Sequence, residues 1–274
     1  MAPQPRQLIL KLLLAADDGE LSARDAVAGS ALFGIRENSV RVALVRLAGA
    51  GLIEAAGRGS YRLGPNGTGL AADVATWPTA EQRVREWQGG WVAVHVGNLG
   101  RSDRVALRAR DRALALLGLR ELDRGLYLRP DNLVGGVEGV RRRLHKLGLE
   151  EDAAVFLASE LDAVSEKRAR ALWDGKALTR HYRQSRQQLE KWLARAAVLE
   201  PEVAARESFL IGSEAIRQVV FDPLLPEPLV DSDERRTFVA TVLDFDRAGR
   251  DIWRNFSAQA APPAANASKS RTAP

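Results

Sequence analysis

Ile35-Arg36-Glu37-Asn38-Ser39-Val40-Arg41-Val42-Ala43-Leu44-Val45-Arg46-Leu47 repeats its apolar side chains with the period of a helix. Val40, Ala43, Leu44 and Leu47 stand at i, i+3, i+4 and i+7, which predicts one buried stripe. The opposite face then carries Asn38, Arg41, Val42 and Val45, with Arg46 at its edge, and Gly49 and Gly51 end the helix. Two strand-like runs follow, Leu52-Ile53-Glu54-Ala55-Ala56 and Ser60-Tyr61-Arg62-Leu63, joined by Gly57-Arg58-Gly59 as a hairpin turn.

Working outward, Arg6 to Ala16 repeats Leu and Ile at helical spacing. Ser22 offers an N-cap with Asp25 at the third helical position, close to a capping box. That second helix runs through Val27 to about Phe33, and Gly34 breaks it. Helix, helix, turn, helix, hairpin is the order of a winged helix-turn-helix. The chemistry of the third helix agrees with it. Arg41 can reach guanine edges or phosphate, Asn38 can read adenine, and Val42 with Val45 can touch thymine methyls. Arg58 at the hairpin tip sits where a wing meets the DNA backbone or minor groove. Arg46, Arg58 and Arg62 would position the backbone, and Arg36 at the head of the helix joins this DNA-facing set. Between Arg36 and Arg62 there are five arginines and two acids, an excess of three positive charges. The same topology also serves protein docking, where exposed Val42 and Val45 would face a partner.

The whole chain has 274 residues, enough for two or three domains. It is 46% hydrophobic and 27% charged, as soluble globular proteins are. The absence of cysteine excludes a disulfide framework, a thiolate metal site and a cysteine nucleophile, and fits a reducing, cytoplasmic setting. His95, His145 and His181 lie far apart and lack metal-ligand spacing, so no metal and no cofactor is expected. No apolar stretch approaches the roughly 20 residues of a membrane span. The start, Met1 to Leu14, lacks a signal-peptide cleavage pattern and reads as a helix. The net charge of +5, carried mostly by arginine, is an electrostatic hint of nucleic acid.

Composition and pattern divide the chain. Residues 1–64 form the winged helix-turn-helix. Residues 65–80, with Pro65, Asn66, Gly67, Gly69 and Pro78, read as a linker. Residues 81–160 alternate strand and helix. They run from Trp91-Val92-Ala93-Val94-His95-Val96 through a helix from Arg101 to Leu117, two strands around Asp123-Arg124, a helix from Leu133 to Leu147, and a last strand at Ala153 to Ala158. This βαββαβ order predicts a ferredoxin-like sandwich, and the fold class overall is α+β. His95 in the first strand reads as a core or interface histidine, and Arg141-Arg142-Arg143 as a solvated helix face around Val140 and Leu144 rather than a phosphate clamp. Residues 161–256 are helical, with Leu178, His181, Tyr182, Leu189, Trp192 and Leu193 in an aromatic-rich stripe. Asp222-Pro223-Leu224-Leu225-Pro226-Glu227-Pro228 reads as an extended elbow. The final helix spans about Ser232 to Phe256, and the tail 257–274 lacks apolar periodicity and reads as disordered.

On these residues the chain resembles the PaaX family of bacterial repressors, named for the phenylacetate pathway. Phe33 to Leu47 looks like the family's recognition helix, with Arg41 and Arg46 at its basic positions. Trp173 to Tyr182-Arg183 is similar to its Trp…Tyr-Arg segment, and Phe221-Asp222-Pro223-Leu224-Leu225-Pro226 to its Asp-Pro-x-Leu-Pro signature. The chain departs at Leu229 to Asp233, where the family often carries a Trp-Pro-Gly-like element. The resemblance implies a homodimeric repressor of a catabolic operon with a winged helix, a ferredoxin-like middle and a helical C-terminal domain. It also implies release from operator DNA by an aromatic acyl-CoA thioester. An anionic thioester needs basic partners, which nominates Arg183 and Arg217 near Trp173, Tyr182 and Trp192. The middle region also resembles a small CRISPR-associated metal-dependent nuclease family. That activity needs an acid at the end of the first strand, where Val96-Gly97-Asn98 stands instead. The sequence has no GxSxG, no P-loop and no paired carboxylates at the spacing of a catalytic pair, so an enzyme is not expected. A protein-docking adaptor remains the alternative to a DNA-binding regulator.

Overall fold

Helix caps and glycines set the boundaries of the elements. The computed structural model describes residues 3–16, 18–67, 76–100 and 102–260. It is a mixed α and β structure with two small antiparallel sheets. The chain divides into two units: Met1–Ala71, Val198–Phe209 and Arg247–Pro274 form the first, and Ala72–Ala197 with Leu210–Asp246 the second.

The first unit holds α1 (Pro5–Ala15), β1 (Glu20–Ser22), α2 (Ala23–Ala31), α3 (Glu37–Gly49), β2 (Ile53–Gly57) and β3 (Ser60–Leu63). Pro5 opens α1, where its missing N–H costs nothing. The Ser22 oxygen accepts from the Asp25 N–H at 2.9 Å, and the Ser22 hydroxyl donates to Asp25 Oδ2 at 2.7 Å, which fixes the start of α2. Arg58 and Gly59 turn the hairpin between β2 and β3, with Gly59 at φ +82°. The short β1, which no sequence pattern predicts, pairs antiparallel with β3 and places Leu21 opposite Tyr61. Three residues are too few to show alternation; the unpaired edge of β3 supplies the partner. The sheet order is β1-β3-β2.

The predicted stripe of α3 is buried: Val40, Ala43, Leu44 and Leu47 pack with Leu8, Ile9, Leu13 and Ile53 in one core. Phe209 and Trp253, far along the chain, pack against the same core. Gly29 on α2 makes room for the indole, since a Cβ there would come within 3.1 Å of Trp253 Cζ3 and 3.0 Å of Leu12 Cδ1.

The second unit holds β4 (Trp91–His95), α4 (Arg104–Leu116), β5 (Arg120–Asp123), β6 (Leu126–Pro130), α5 (Gly136–Lys146) and β7 (Ala154–Ala158). The sheet is antiparallel throughout, in the order β5-β6-β4-β7. Val92 and Val94 of β4 share one core with Ala113 and Leu114 of α4 and Val140 and Leu144 of α5. On the other face Trp91 stacks on Trp173, with ring centroids 6.2 Å apart. Burial on both faces explains why β4 reads as a nearly continuous apolar run.

Two helices begin later than expected. Asp103 caps α4, accepting from the N–H groups of Val105 at 2.8 Å and Ala106 at 3.2 Å, so the helix starts at Arg104 and not Arg101. Leu133 is taken up by a bridge to Val84, and Gly135 turns at φ +87°, so α5 starts at Gly136. His95, expected in a core or an interface, is exposed at the end of β4, so it is not a core histidine.

Beyond the sheet follow α6 (Ala163–Arg170), α7 (Gly175–Arg195), α8 (Pro201–Val220) and α9 (Ser232–Ala260). Helices α8 and α9 have residues in both units. Four residues expected in the tail, 257–260, continue α9, where no proline or glycine intervenes. Residues 68–75 of the expected linker and 261–274 of the expected tail lie outside the described residues. The end of that linker is ordered: Trp77–Arg83 form a 3-10 helix in which Trp77 and Ala80 are buried. Among the described residues no helix is long and apolar enough to cross a membrane.

Candidate nucleic-acid interface

Because one stripe of α3 is buried, its other side chains face outward by geometry alone. Asn38, Arg41, Val42, Val45 and Arg46 are all exposed, Val42 at 41% and Val45 at 71%. Exposed β-branched residues between arginines gain nothing from water, so this face has the mixed character that groove contact uses. Arg36, next to the first residue of α3, and Arg58, at the hairpin tip, are exposed too.

The arginines differ in their partners. Arg41 donates through Nε to Glu37 Oε1 at 2.8 Å, one turn back on α3. Arg62 donates through Nε to Glu54 Oε1 at 2.7 Å across the hairpin. Arg36, Arg46 and Arg58 have no ion pair among the described residues. Both observed pairs are exposed, and such pairs contribute about 0.3–0.5 kcal/mol, so a competing anion or hydrogen-bond acceptor would displace them at little cost. Asn66 donates to Ala50 O at 3.0 Å and closes the C-terminal end of α3.

The nominated ligand residues are placed differently. Trp173 is buried, stacks on Trp91 and donates to Gly118 O at 3.2 Å. Tyr182 is fully buried, stacks on Phe238 and donates its hydroxyl to Asp222 at 2.6 Å. Trp192 is buried with its ring 4.9 Å from Phe245. Arg183 is exposed and pairs with Glu234 at 2.9 Å and Asp231 at 3.3 Å. Arg217 is exposed over the Phe221 ring. A recess of about 420 Å³ in the second unit is lined instead by Leu107, Arg110, Asp111, Arg124 and Tyr127, among others.

The elbow after α8 is buried from Asp222 to Pro226. Leu224 takes φ +50°, a conformation disfavoured for a residue with a side chain. Two hydrogen bonds hold it there: its N–H donates to Asp222 Oδ1 at 2.7 Å, and Asn132 Nδ2 donates to its carbonyl, also at 2.7 Å. Arg129, buried and bonded to no carboxylate among the described residues, donates to Leu117 O, to Pro130 O at 3.1 Å, to Asn132 Oδ1 at 3.0 Å and to Pro223 O at 3.4 Å. Arg235 donates to Leu225 O and to Glu81 Oε1 at 2.8 Å. Sequence reasoning passed over Arg129 and Asn132, since a lone arginine in a strand ordinarily faces water.

Residues 4–67 match the family model described as PaaX-like protein, and residues 173–262 match PaaX-like protein C-terminal domain. Together the two matches cover more than half of the chain. No curated protein matches. Among solved structures, an uncharacterized protein, Rv0674 from Mycobacterium tuberculosis, is similar at 24% identity and a TM-score of 0.61, covering 93% of this chain and 99% of its own.

Proposed function

Since the chain belongs to the PaaX-like family, we propose that it is a DNA-binding transcriptional regulator with no catalytic activity. In this reading the first unit is a winged helix-turn-helix, with α3 as recognition helix and the β2–β3 turn as wing. The βαββαβ order and β5-β6-β4-β7 sheet of the second unit are read as a ferredoxin-like sandwich. The observation that carries the proposal is the exposed face of α3, where Asn38, Arg41, Val42 and Val45 stand together. These four contact base edges; Arg36, Arg46, Arg58 and Arg62 hold the backbone.

The regulator acts as a cytoplasmic homodimer that presents two recognition helices to a palindromic operator. It represses a catabolic operon, and an acyl-CoA effector releases it by binding the DNA-incompetent state more tightly. Arg183 and Arg217 are the exposed cations of the nominated effector set.

The test is binding of the purified protein to DNA upstream of its own gene, titrated with salt and competitor. Expected are saturable binding well above competitor and a steep salt slope. Arg41→Ala is expected to lose operator affinity and discrimination. Unaltered affinity and specificity in that variant removes the assignment of α3. The exposure of Val45 favours a second reading, a protein-docking adaptor, and absence of DNA binding at every salt concentration would support it.

A further inference from the structure

Between α1 and α3, within the first unit, lies a recess of about 370 Å³ lined by Gln4, Arg6, Asn38, Ser39, Val42 and Arg46 among others. None of its lining side chains is acidic. Asn38, Val42 and Arg46 follow one another at i, i+4 and i+8, about 6 Å of helix rise apart. The recess is therefore continuous with the outward face of α3. Neither the Arg6 nor the Arg46 guanidinium has an ion pair or hydrogen bond among the described residues, although Arg41 and Arg62 of the same unit are both paired.

Two unneutralised guanidinium groups at one recess repel each other weakly, and an anion between them reverses the sign of that energy. A phosphodiester suits the site: it has one charge and two free oxygens, which a guanidinium fork matches. The Ser39 hydroxyl and the Asn38 amide add neutral donors. The first turn of α1 has no side-chain cap, which leaves further N–H donors unclaimed there. Asn38 and Val42 belong at once to the recess and to the proposed base-reading face, so an occupant here flanks the bases being read.

We propose that this recess seats one backbone phosphate of duplex DNA, with Arg6 on α1 and Arg46 on α3 as its two cations. This rests on the DNA-binding reading above and adds α1 to the interface. The seat fixes the register of α3 in the groove and contributes affinity without sequence preference.

The experiment measures affinity for a random-sequence duplex and for the upstream DNA across a salt series. It compares wild type, Arg6→Ala, Arg46→Ala and the double variant. Both positions are exposed, and matching thermal midpoints verify folding. Arg6→Ala is expected to weaken both duplexes by the same factor, several-fold, and to flatten the salt dependence. The double variant loses about one unit of slope in total, the signature of one shared phosphate. Unchanged affinity and slope in Arg6→Ala overturns the seat while leaving the regulator reading intact. A loss of two units in the double variant overturns the shared phosphate. No duplex binding by wild type overturns the regulator reading itself, and the seat with it. Inorganic phosphate bound by wild type and released by Arg6→Ala, without any effect on duplex affinity, assigns the recess to a free anion and overturns the proposal.

Discussion

Tyr182 on α7 donates its hydroxyl hydrogen to Asp222 in the elbow just after α8, with 2.6 Å between the oxygens. The bond joins two sequence segments that resemble separate parts of one family pattern. Asp222 uses its other oxygen to hold Leu224 in the left-handed region. The Asp-Pro-Leu-Leu-Pro stretch is thus a buried turn built around one carboxylate.

Replacing Tyr182 by Phe keeps the ring on Phe238 and removes the donor to a buried acid. An unmet buried polar group costs about 1–3 kcal/mol. Tyr182→Phe is expected to lower the urea unfolding midpoint accordingly, with little change in far-UV circular dichroism. An unchanged midpoint would mean that water takes over the bond.

Burial pushes the Asp222 carboxyl above the usual carboxylate range, against the opposing pull of the Tyr182 hydroxyl and Arg235. The folded state then binds this proton more tightly than the unfolded state. The group's contribution to stability is largest in acid and falls as pH rises from about 4 through the raised folded value. Asp222→Asn is expected to gain stability relative to wild type over that rise. Parallel stability–pH curves for the two proteins would contradict it.

Arg129 is enclosed by carbonyl oxygens, and burial brings its guanidinium down to about 9. The folded state releases the proton first, so this group's contribution to stability rises as pH climbs from about 9 toward the ordinary arginine value. At neutral pH Arg129→Met strands acceptors on Leu117, Pro223 and Asn132. A loss of about 2–4 kcal/mol in denaturant unfolding is expected.

Arg110 is buried, and its bond to Glu150 holds that carboxyl below the ordinary glutamate value. The stabilisation is present above the ordinary value and lost as pH falls through the depressed one. Glu150 is 28% exposed, which screens the pair, so Glu150→Gln is expected to cost about 1–2 kcal/mol near pH 7. The gap between variant and wild type should close below about pH 4 in thermal melts.

Glu37 holds Arg41 on the exposed face of α3 and adds a negative charge where phosphate would approach. Glu37→Gln is expected to raise duplex affinity several-fold at low salt, with the gain shrinking as salt screens it. An affinity equal to wild type at every salt would place α3 away from the DNA.

The stripe of α3, the cap at Ser22, the hairpin at Arg58 and the nearly continuous apolar run of β4 were legible because each is a local pattern. Period, cap and turn residue act within a few positions, and no distant contact is needed to impose them. The exposed set from Asn38 to Arg46 followed from the buried stripe, since a helix that hides one face must show the other. Strand β1 was not legible, because three residues carry no period and its pairing depends on β3.

Amino-acid order alone determined most of the helices, though not the starts of α4 and α5 nor the 3-10 helix at Trp77–Arg83, and with them the two hairpins and the arginine-bearing face. Only the tertiary structure decided which distant side chains meet: Tyr182 with Asp222, Trp253 with Gly29, Arg129 with the Pro223 carbonyl, and Arg6 with Arg46 around one recess. The physical reason is range. Backbone hydrogen bonding and steric preference act over one turn or one strand pair. Burial and charge pairing act on whatever the folded chain brings within a few ångströms, and no local period records that distance.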